Sequence, residues 1–283
     1  MPTLYIVSTP IGNLADMTYR AVETLRAVDR ILAEDTRRTG ILLKHYGIQT
    51  PMTSAHEHNE AARAAHLVGW LQEGQNLALV SDAGTPLLSD PGGRLVNAVI
   101  EAGFDVVPIP GPSALLAALV ASGIEPEPFT FFGFLPRSGK ERKERLQQLV
   151  PLAHAAVLYE APGRVEKLLN DLLESCGSER RAVVARELTK IHETFVRGTL
   201  QELVSYYEDQ PVRGEVVVIL AGAAPLVAED SAELAAAVAR ELLETGGSAR
   251  DVAREIATRF KLSRNVAYQI TQRAAELNGE IAE

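Results

Sequence analysis

Short apolar runs recur along the chain and stop abruptly in loops rich in Gly, Pro, Ser and Asp. They cover residues 4–7 (LYIV), 31–33 (ILA), 77–80 (LALV), 106–109 (VVPI), 129–135, 155–159, 182–185 and 216–220. Runs this short without polar alternation predict strands buried on both faces of a sheet. Between them, apolar residues three and four apart predict helices. One carries Ala21, Val22, Leu25 and Val28 behind a cap at Asp16 or Thr18, and another carries Ala64, Leu67, Val68 and Leu71. Two more are predicted over 94–102 and 114–121, the latter capped by Ser113 after the rigid turn PGP. Strand, loop and helix in alternation predict a parallel, helix-covered sheet, whose ligands bind outside the carboxyl ends of the strands. The most heavily punctuated stretch, residues 76–93 (NLALVSDAGTPLLSDPGG), leaves a buried strand at that end and is the leading candidate for a small-molecule site. Residues 34–38 (EDTRR) end another strand and read as a charged loop on the same cleft.

Periodicity lapses over 122–128 (SGIEPEP), which predicts a boundary there. The expected organisation is an N-terminal α/β domain over 1–121, a second α/β domain over 122–224 and a helical extension over 225–283. Within the extension, residues 246–275 hold two helical runs with Ser248 and Ser263 as natural caps, and six Arg/Lys against two Asp/Glu make this segment +4. That suits a helix-turn-helix-like nucleic-acid module, or equally a hairpin for packing or dimerisation. Residues 136–145 (PRSGKERKER) form a second basic run, either a solvated helix start or a grip on phosphates.

Charge changes the picture because the chain as a whole carries −9 over 283 residues. An acidic protein does not coat nucleic acid indiscriminately, so any such contact is expected in those two basic places. Cys176, the single cysteine, excludes an internal disulfide and a cysteine-rich metal site. His56 and His58 sit in SAHEHNE (54–60), which lacks the HExxH spacing, so no metal is expected. The first strand follows Met1 directly and no apolar run reaches membrane-spanning length, so a cytoplasmic address without a membrane is expected. In the first loop, STPIGN (8–13), Gly12 stands alone, and the missing GxGxxG disfavours a nicotinamide dehydrogenase.

Eight stretches in order now carry a resemblance: STPIGNL (8–14), AEDTR (33–37), SAHEHNE (54–60), LVSDAGTPLLSDPG (79–92), PIPGPSAL (108–115), FFGFLP (131–136), RELTK (186–190) and RGE (213–215). Through them the chain resembles, nearly end to end, the 16S ribosomal RNA 2′-O-ribose methyltransferase I family of the tetrapyrrole-methylase-like superfamily. It departs at EAPGR (160–164), where the family commonly has Glu-Ser-Pro-His-Arg; Gly163 removes that histidine as a base. The resemblance implies two α/β domains enclosing S-adenosylmethionine in a cleft between them, and a homodimer. It also implies methyl transfer to the 2′-hydroxyl of a cytidine in the decoding region of 16S rRNA, in the small ribosomal subunit. By position, the cofactor is expected to touch Pro10, then Asp82, Ala83, Gly84 and Thr85, then Ser113, with Tyr159, Glu160 and Gly214 from the second domain. A base for the hydroxyl proton is sought among Asp35, His56, His58, Glu60 and Glu187, while Arg37 and Lys190 are placed to orient phosphate or stabilise an oxyanion. Two other readings keep the fold: a tetrapyrrole or modified-histidine acceptor, and a non-catalytic ribosome-associated binding protein. The basic segments favour RNA.

Overall fold

The computed structural model describes residues 1–54, 60–208, 210–223, 228–260, 262 and 264–280. Strands β1 (Thr3–Val7), β2 (Arg30–Ala33), β3 (Met52–Ser54), β4 (Leu77–Val80) and β5 (Asp105–Ile109) form a parallel sheet in the order β3-β2-β4-β1-β5. Its helices are α1 (Tyr19–Ala27), α2 (Thr36–His45), α3 (Glu60–Gln72), α4 (Gly93–Glu101) and α5 (Ala114–Ala121). The central strand shows why LALV has no polar position. Ala78 and Val80 pack with Leu25, Leu42 and Leu43 of α1 and α2, while Leu77 and Leu79 pack on the opposite face with Leu67, Leu71, Leu95 and Val99 of α3 and α4. Each such leucine stabilises the fold by roughly 1.5–3 kcal/mol relative to exposure.

A second sheet, ordered β6-β7-β10-β8-β9, is built from β6 (Phe129–Phe134), β7 (Ala155–Glu160), β8 (Arg181–Arg186), β9 (Thr194–Thr199) and β10 (Val216–Leu220). Only the β6–β7 pair is parallel. One face is covered by α6 (Gly139–Leu149), α7 (Val165–Cys176) and α8 (Leu200–Glu208) through Leu149, Leu168, Leu172 and Leu203. On the other face Val157, Val183, Val217 and Ile219 meet Ile11 and the α5 residues Leu115, Ala118 and Leu119. That contact explains the apolar face Leu115, Ala118 and Leu119: α5 follows the first sheet and packs on the second, while Leu116 and Val120 remain exposed. Both sheets lie in one compact unit, Met1–Ala223. The remaining unit, Ala224–Glu283, holds α9 (Ala228–Glu244), α10 (Ala249–Arg259) and α11 (Arg264–Glu280) around Ala235, Ala239, Val252, Ile256, Ala267 and Ala274. Ser248 caps α10 by accepting from Asp251 N, and Ser263 lies outside the described residues.

Two local expectations need correction, and the structure decides the alternative left open at the cap of α1. Residues 36–38 are helix rather than loop, because the Asp35 carboxylate accepts from Arg37 N and caps α2. The cap of α1 is Thr18, which accepts from Ala21 N, whereas Asp16 ends a separate short turn. Within the basic run, Arg142 is buried: Nε donates to Asp171 Oδ2 at 2.7 Å and Nη1 to the Pro136 carbonyl at 2.8 Å. It is a strut between α6 and α7, and Arg137, Lys140, Lys143 and Arg145 are the basic side chains left facing solvent there.

Candidate active site

Because the first sheet is parallel, the loops after β1, β2, β4 and β5 leave from one edge, and backbone bonds knit three of them together. Thr9 and Gly84 exchange N–H···O bonds of 2.8 and 3.0 Å, and Ser8 N donates to Ile109 O at 3.2 Å. Ser8 Oγ meets Thr85 Oγ1 at 3.2 Å, and Thr85 Oγ1 in turn donates to the Pro112 carbonyl at 3.2 Å. The second sheet closes against them. Tyr159 at the end of β7 accepts from Leu115 N at 3.2 Å, and Thr189 Oγ1 accepts from Asn13 N at 3.1 Å.

Between the two lobes lies a cavity of about 330 Å³, within the size range of small-molecule sites. Ala83, Gly84, Thr85 and Ser113 line it from the first lobe, and Tyr159 and Glu160 from the second. These six belong to the set expected from the sequence. Three others of that set stand just behind the wall. Asp82 ties the β4 loop to the β2 loop, accepting from Asp35 N at 2.9 Å and pairing with Arg38 at 3.4 Å. Pro10 lies between Thr9 and the lining residue Ile11, and Gly214 precedes the lining residue Glu215. At Gly214 φ is 83°, and a Cβ would overlap the Glu187 carboxylate.

Among the described lining residues are three carboxylates, Asp90, Glu160 and Glu215, and no Lys, Arg or His. Glu160 is buried, paired with Arg164 and accepting from Ala161 N at 2.8 Å, yet its Oε2 has no hydrogen bond. Asp90, which the sequence reading passed over, lines the same cavity. Burial, opposed by a hydrogen bond from Ser81 and aided by the Glu34 and Asp82 carboxylates, pushes its pKa up to about 6. Its only signal in the sequence was membership of the SDAGTPLLSDPG loop. At the start of α5, two of the N–H groups that could have met an anion are already used, Leu115 by Tyr159 and Leu116 by the Ser113 hydroxyl at 3.5 Å. Burial also raises the Tyr159 pKa, which keeps the phenol neutral. A ligand with cationic and hydrogen-bond-donating groups fits this wall.

Two of the candidate bases, Asp35 and Glu187, lie outside the cavity wall. The Arg37 guanidinium, in bidentate contact at 3.1 and 2.9 Å, holds the Asp35 pKa down to about 2. Glu187 accepts from Lys190 Nζ at 2.8 Å and from Glu215 N at 3.0 Å, and both contacts lower its pKa. Although burial opposes its charge, hydrogen bonds to Glu187 and Glu215 raise the Lys190 pKa. Asp35, Arg37, Glu187 and Lys190 are not among the residues lining the cavity. His56 and His58 lie outside the described residues, and Glu60 is described only as the first residue of α3. Among the described residues no group of three His, Cys, Asp or Glu side chains could hold a metal.

Comparison with known proteins fits this geometry to a family. Residues 3–204 match the family described as Tetrapyrrole (Corrin/Porphyrin) Methylases. The chain is 48% identical over 275 residues to a ribosomal RNA small subunit methyltransferase I of Synechocystis sp., covering 96% of this chain and 98% of that one. It is 47% identical over 222 residues to the protein of the same name from Bacillus subtilis, covering 78% of this chain and 76% of that one. In fold it is similar to a cobalt precorrin-4 methyltransferase, with a TM-score of 0.61 at 17% identity over 77% of this chain and 94% of that one. It is also similar to the uroporphyrin-III C-methyltransferase of Thermus thermophilus in complex with S-adenosyl homocysteine, with a TM-score of 0.57 at 18% identity over 77% of this chain and 97% of that one. The two distant likenesses speak for the architecture, the cleft between two α/β lobes, and the close relatives for the branch: the chain belongs to the tetrapyrrole methylase family, among the proteins named ribosomal RNA small subunit methyltransferase I.

Proposed function

We propose that the protein is an rRNA methyltransferase that takes its methyl group from S-adenosylmethionine and delivers it to the 2′-hydroxyl of a cytidine in the decoding region of 16S rRNA. The observation that carries this reading is the near full-length identity to proteins named for ribosomal RNA methylation. When bound, the cofactor would supply an electrophilic methyl for the acceptor hydroxyl, whose proton would pass to solvent as the oxygen–carbon bond forms and the carbon–sulfur bond breaks. The chain's own part is to hold it, exclude water and align the acceptor. Asp90 offers an acceptor to ammonium, hydroxyl or amine groups, and Val216 and Val217 give apolar wall. Asp35 and Glu187, held ionised by cationic partners, are weak proton acceptors and act by positioning their loops. Arg37, paired with Asp35 but with 90% of its side chain exposed, serves in this reading to meet an acceptor phosphate. Residues 1–121 and 122–224 serve in this reading as the two lobes, 225–283 as an RNA-facing extension, and the protein as a cytoplasmic homodimer.

The test is transfer of labelled methyl to small ribosomal subunits lacking the modification, with naked 16S rRNA and a tetrapyrrole precursor in parallel. Label at a cytidine 2′-oxygen is the expected result. Label on the tetrapyrrole alone would move the acceptor to the sister enzymes, and failure to bind the cofactor would remove the enzymatic reading.

A further inference from the structure

Four residues that line the cavity are also exposed, and they mark its mouth: Leu88, Ser89, Phe134 and Glu215. Two are large and apolar, Leu88 at 40% exposure and Phe134 at 52%. Both are held there at a structural cost. Leu87 and Ser89, on either side of Leu88, have φ of 75° and 68°, a region costly for residues with a Cβ. Phe134 owes its direction to a bulge. The β6–β7 register runs Phe131↔Val157, Gly133↔Leu158, Phe134↔Tyr159, so one extra residue interrupts the alternation. Phe132 therefore packs with the helix-covered face, while Phe131 and Phe134, three apart, both turn to Tyr159 with ring centroids at 4.9 and 5.6 Å. Gly133, at φ 61°, makes the bulge possible and brings the strand against Ser89, whose Oγ stands 3.1 Å from where a Cβ would sit. The β4 loop of one lobe and the β6 bulge of the other thus meet at the mouth, presenting an aromatic ring and an aliphatic side chain.

We propose that Phe134, with Leu88 opposite, is the stacking platform for the base of the acceptor nucleotide. The inference rests on the RNA reading above and deepens it by naming what the mouth recognises. A cavity of about 330 Å³ holds one small molecule, so a second reactant must meet it from outside, at the exposed end. Every base offers a flat π face, and single-stranded nucleic acid is held by stacking bases on aromatic side chains. Tyr159 fixes the Phe134 ring edge-on from behind, so the ring is ordered before the base arrives and loses little freedom on binding. In this proposal the base stacks at the mouth and its ribose faces the cavity, where the methyl would be supplied.

The test uses the full-length protein and two readouts, cofactor affinity by calorimetry and the KM for hypomethylated small subunits in the transfer assay. Phe134→Ala should raise that KM roughly tenfold to a hundredfold, the span of a lost stacking contact, with cofactor affinity unchanged. Phe134→Tyr should restore transfer and Phe134→Leu, which keeps bulk but not the π face, should not; Leu88→Ala should give a smaller loss of the same kind. Wild-type KM in Phe134→Ala, equal rescue by leucine, or a parallel fall in cofactor affinity would overturn the proposal, the last by giving the ring to the cofactor's adenine. Absence of RNA transfer by the wild type would overturn the underlying reading and this one with it.

Discussion

Asp90 shows how one residue can carry both a binding role and a stability cost. Its pKa, about 6, lies above that of an unfolded aspartate, so as pH rises from about 4 through 6 the ionised carboxylate weighs increasingly against the ligand-free fold. A cationic ligand needs the ionised form. Cofactor affinity is therefore expected to rise with pH through about 6 and level off above it. Asp90→Asn should lower affinity roughly tenfold to a hundredfold at neutral pH, abolish that pH dependence, and raise the thermal midpoint of the ligand-free protein. Titration calorimetry across this pH range, beside a melting curve, checks all three; an unaltered affinity would remove Asp90 from the site. Arg142 is the opposite case, a charged residue in a basic run that serves only the fold. With 4% of its side chain exposed and its guanidinium on Asp171, Arg142→Ala should destabilise the protein by about 3 kcal/mol, while Lys143→Ala, on the solvent side, should change it by less than about 0.5 kcal/mol. Denaturant midpoints separate the two.

At the scale of elements, legibility followed burial. β4 and β10 were readable to the residue because both faces are covered and the apolar run has no gaps. Helix α2 was hidden because its first turn, TRRT, is polar and its capping Asp35 reads equally well as a loop residue. Strand β9 (TFVRGT) was missed because it is an edge strand whose side chains stay half-exposed or exposed, leaving no apolar signature. The β6 bulge could not be read at all, since FTFFGF alternates plausibly in either register and only pairing with β7 decides which. The six cavity-lining residues expected from the sequence were carried by position from the family resemblance, four at loops after strands and two at the end of β7; Phe134 acquires its meaning from the β6–β7 pairing. The turn carrying Gly214 tests how far such loops tolerate change. There the Glu187 carboxylate occupies the space of a Cβ while holding Glu215 N and Lys190, and Glu187 and Thr189 adopt φ of 53° and 66°. Gly214→Ala should displace that carboxylate and cost about 2 kcal/mol, read as a lower unfolding midpoint. An unchanged midpoint would mean the loop relaxes without loss.

For the whole molecule, the question is which part carries which function. Every residue lining the cavity lies between Ile11 and Val217, inside the compact unit Met1–Ala223, whereas Ala224–Glu283 has a helical core of its own. Removing the second unit takes away Arg240, Arg250, Arg254, Arg259, Arg264 and Arg273 but none of the cavity wall. In a chain of net charge −9, exposed arginines are a scarce source of attraction for phosphate. A fragment ending at Ala223 is therefore expected to bind S-adenosylmethionine with the affinity of the full chain and to lose transfer to small subunits. Its RNA affinity should also depend less steeply on salt, the slope of log K against log[salt] falling by about 0.7–0.9 for each phosphate contact removed. The three measurements separate the possibilities. Intact cofactor binding with lost transfer and a shallower slope assigns RNA contact to the helical unit, the role its basic hairpin suggested. Intact binding with intact transfer would make that hairpin a packing device and leave Arg137, Lys140, Lys143 and Arg145 at the start of α6 as the basic side chains to examine next.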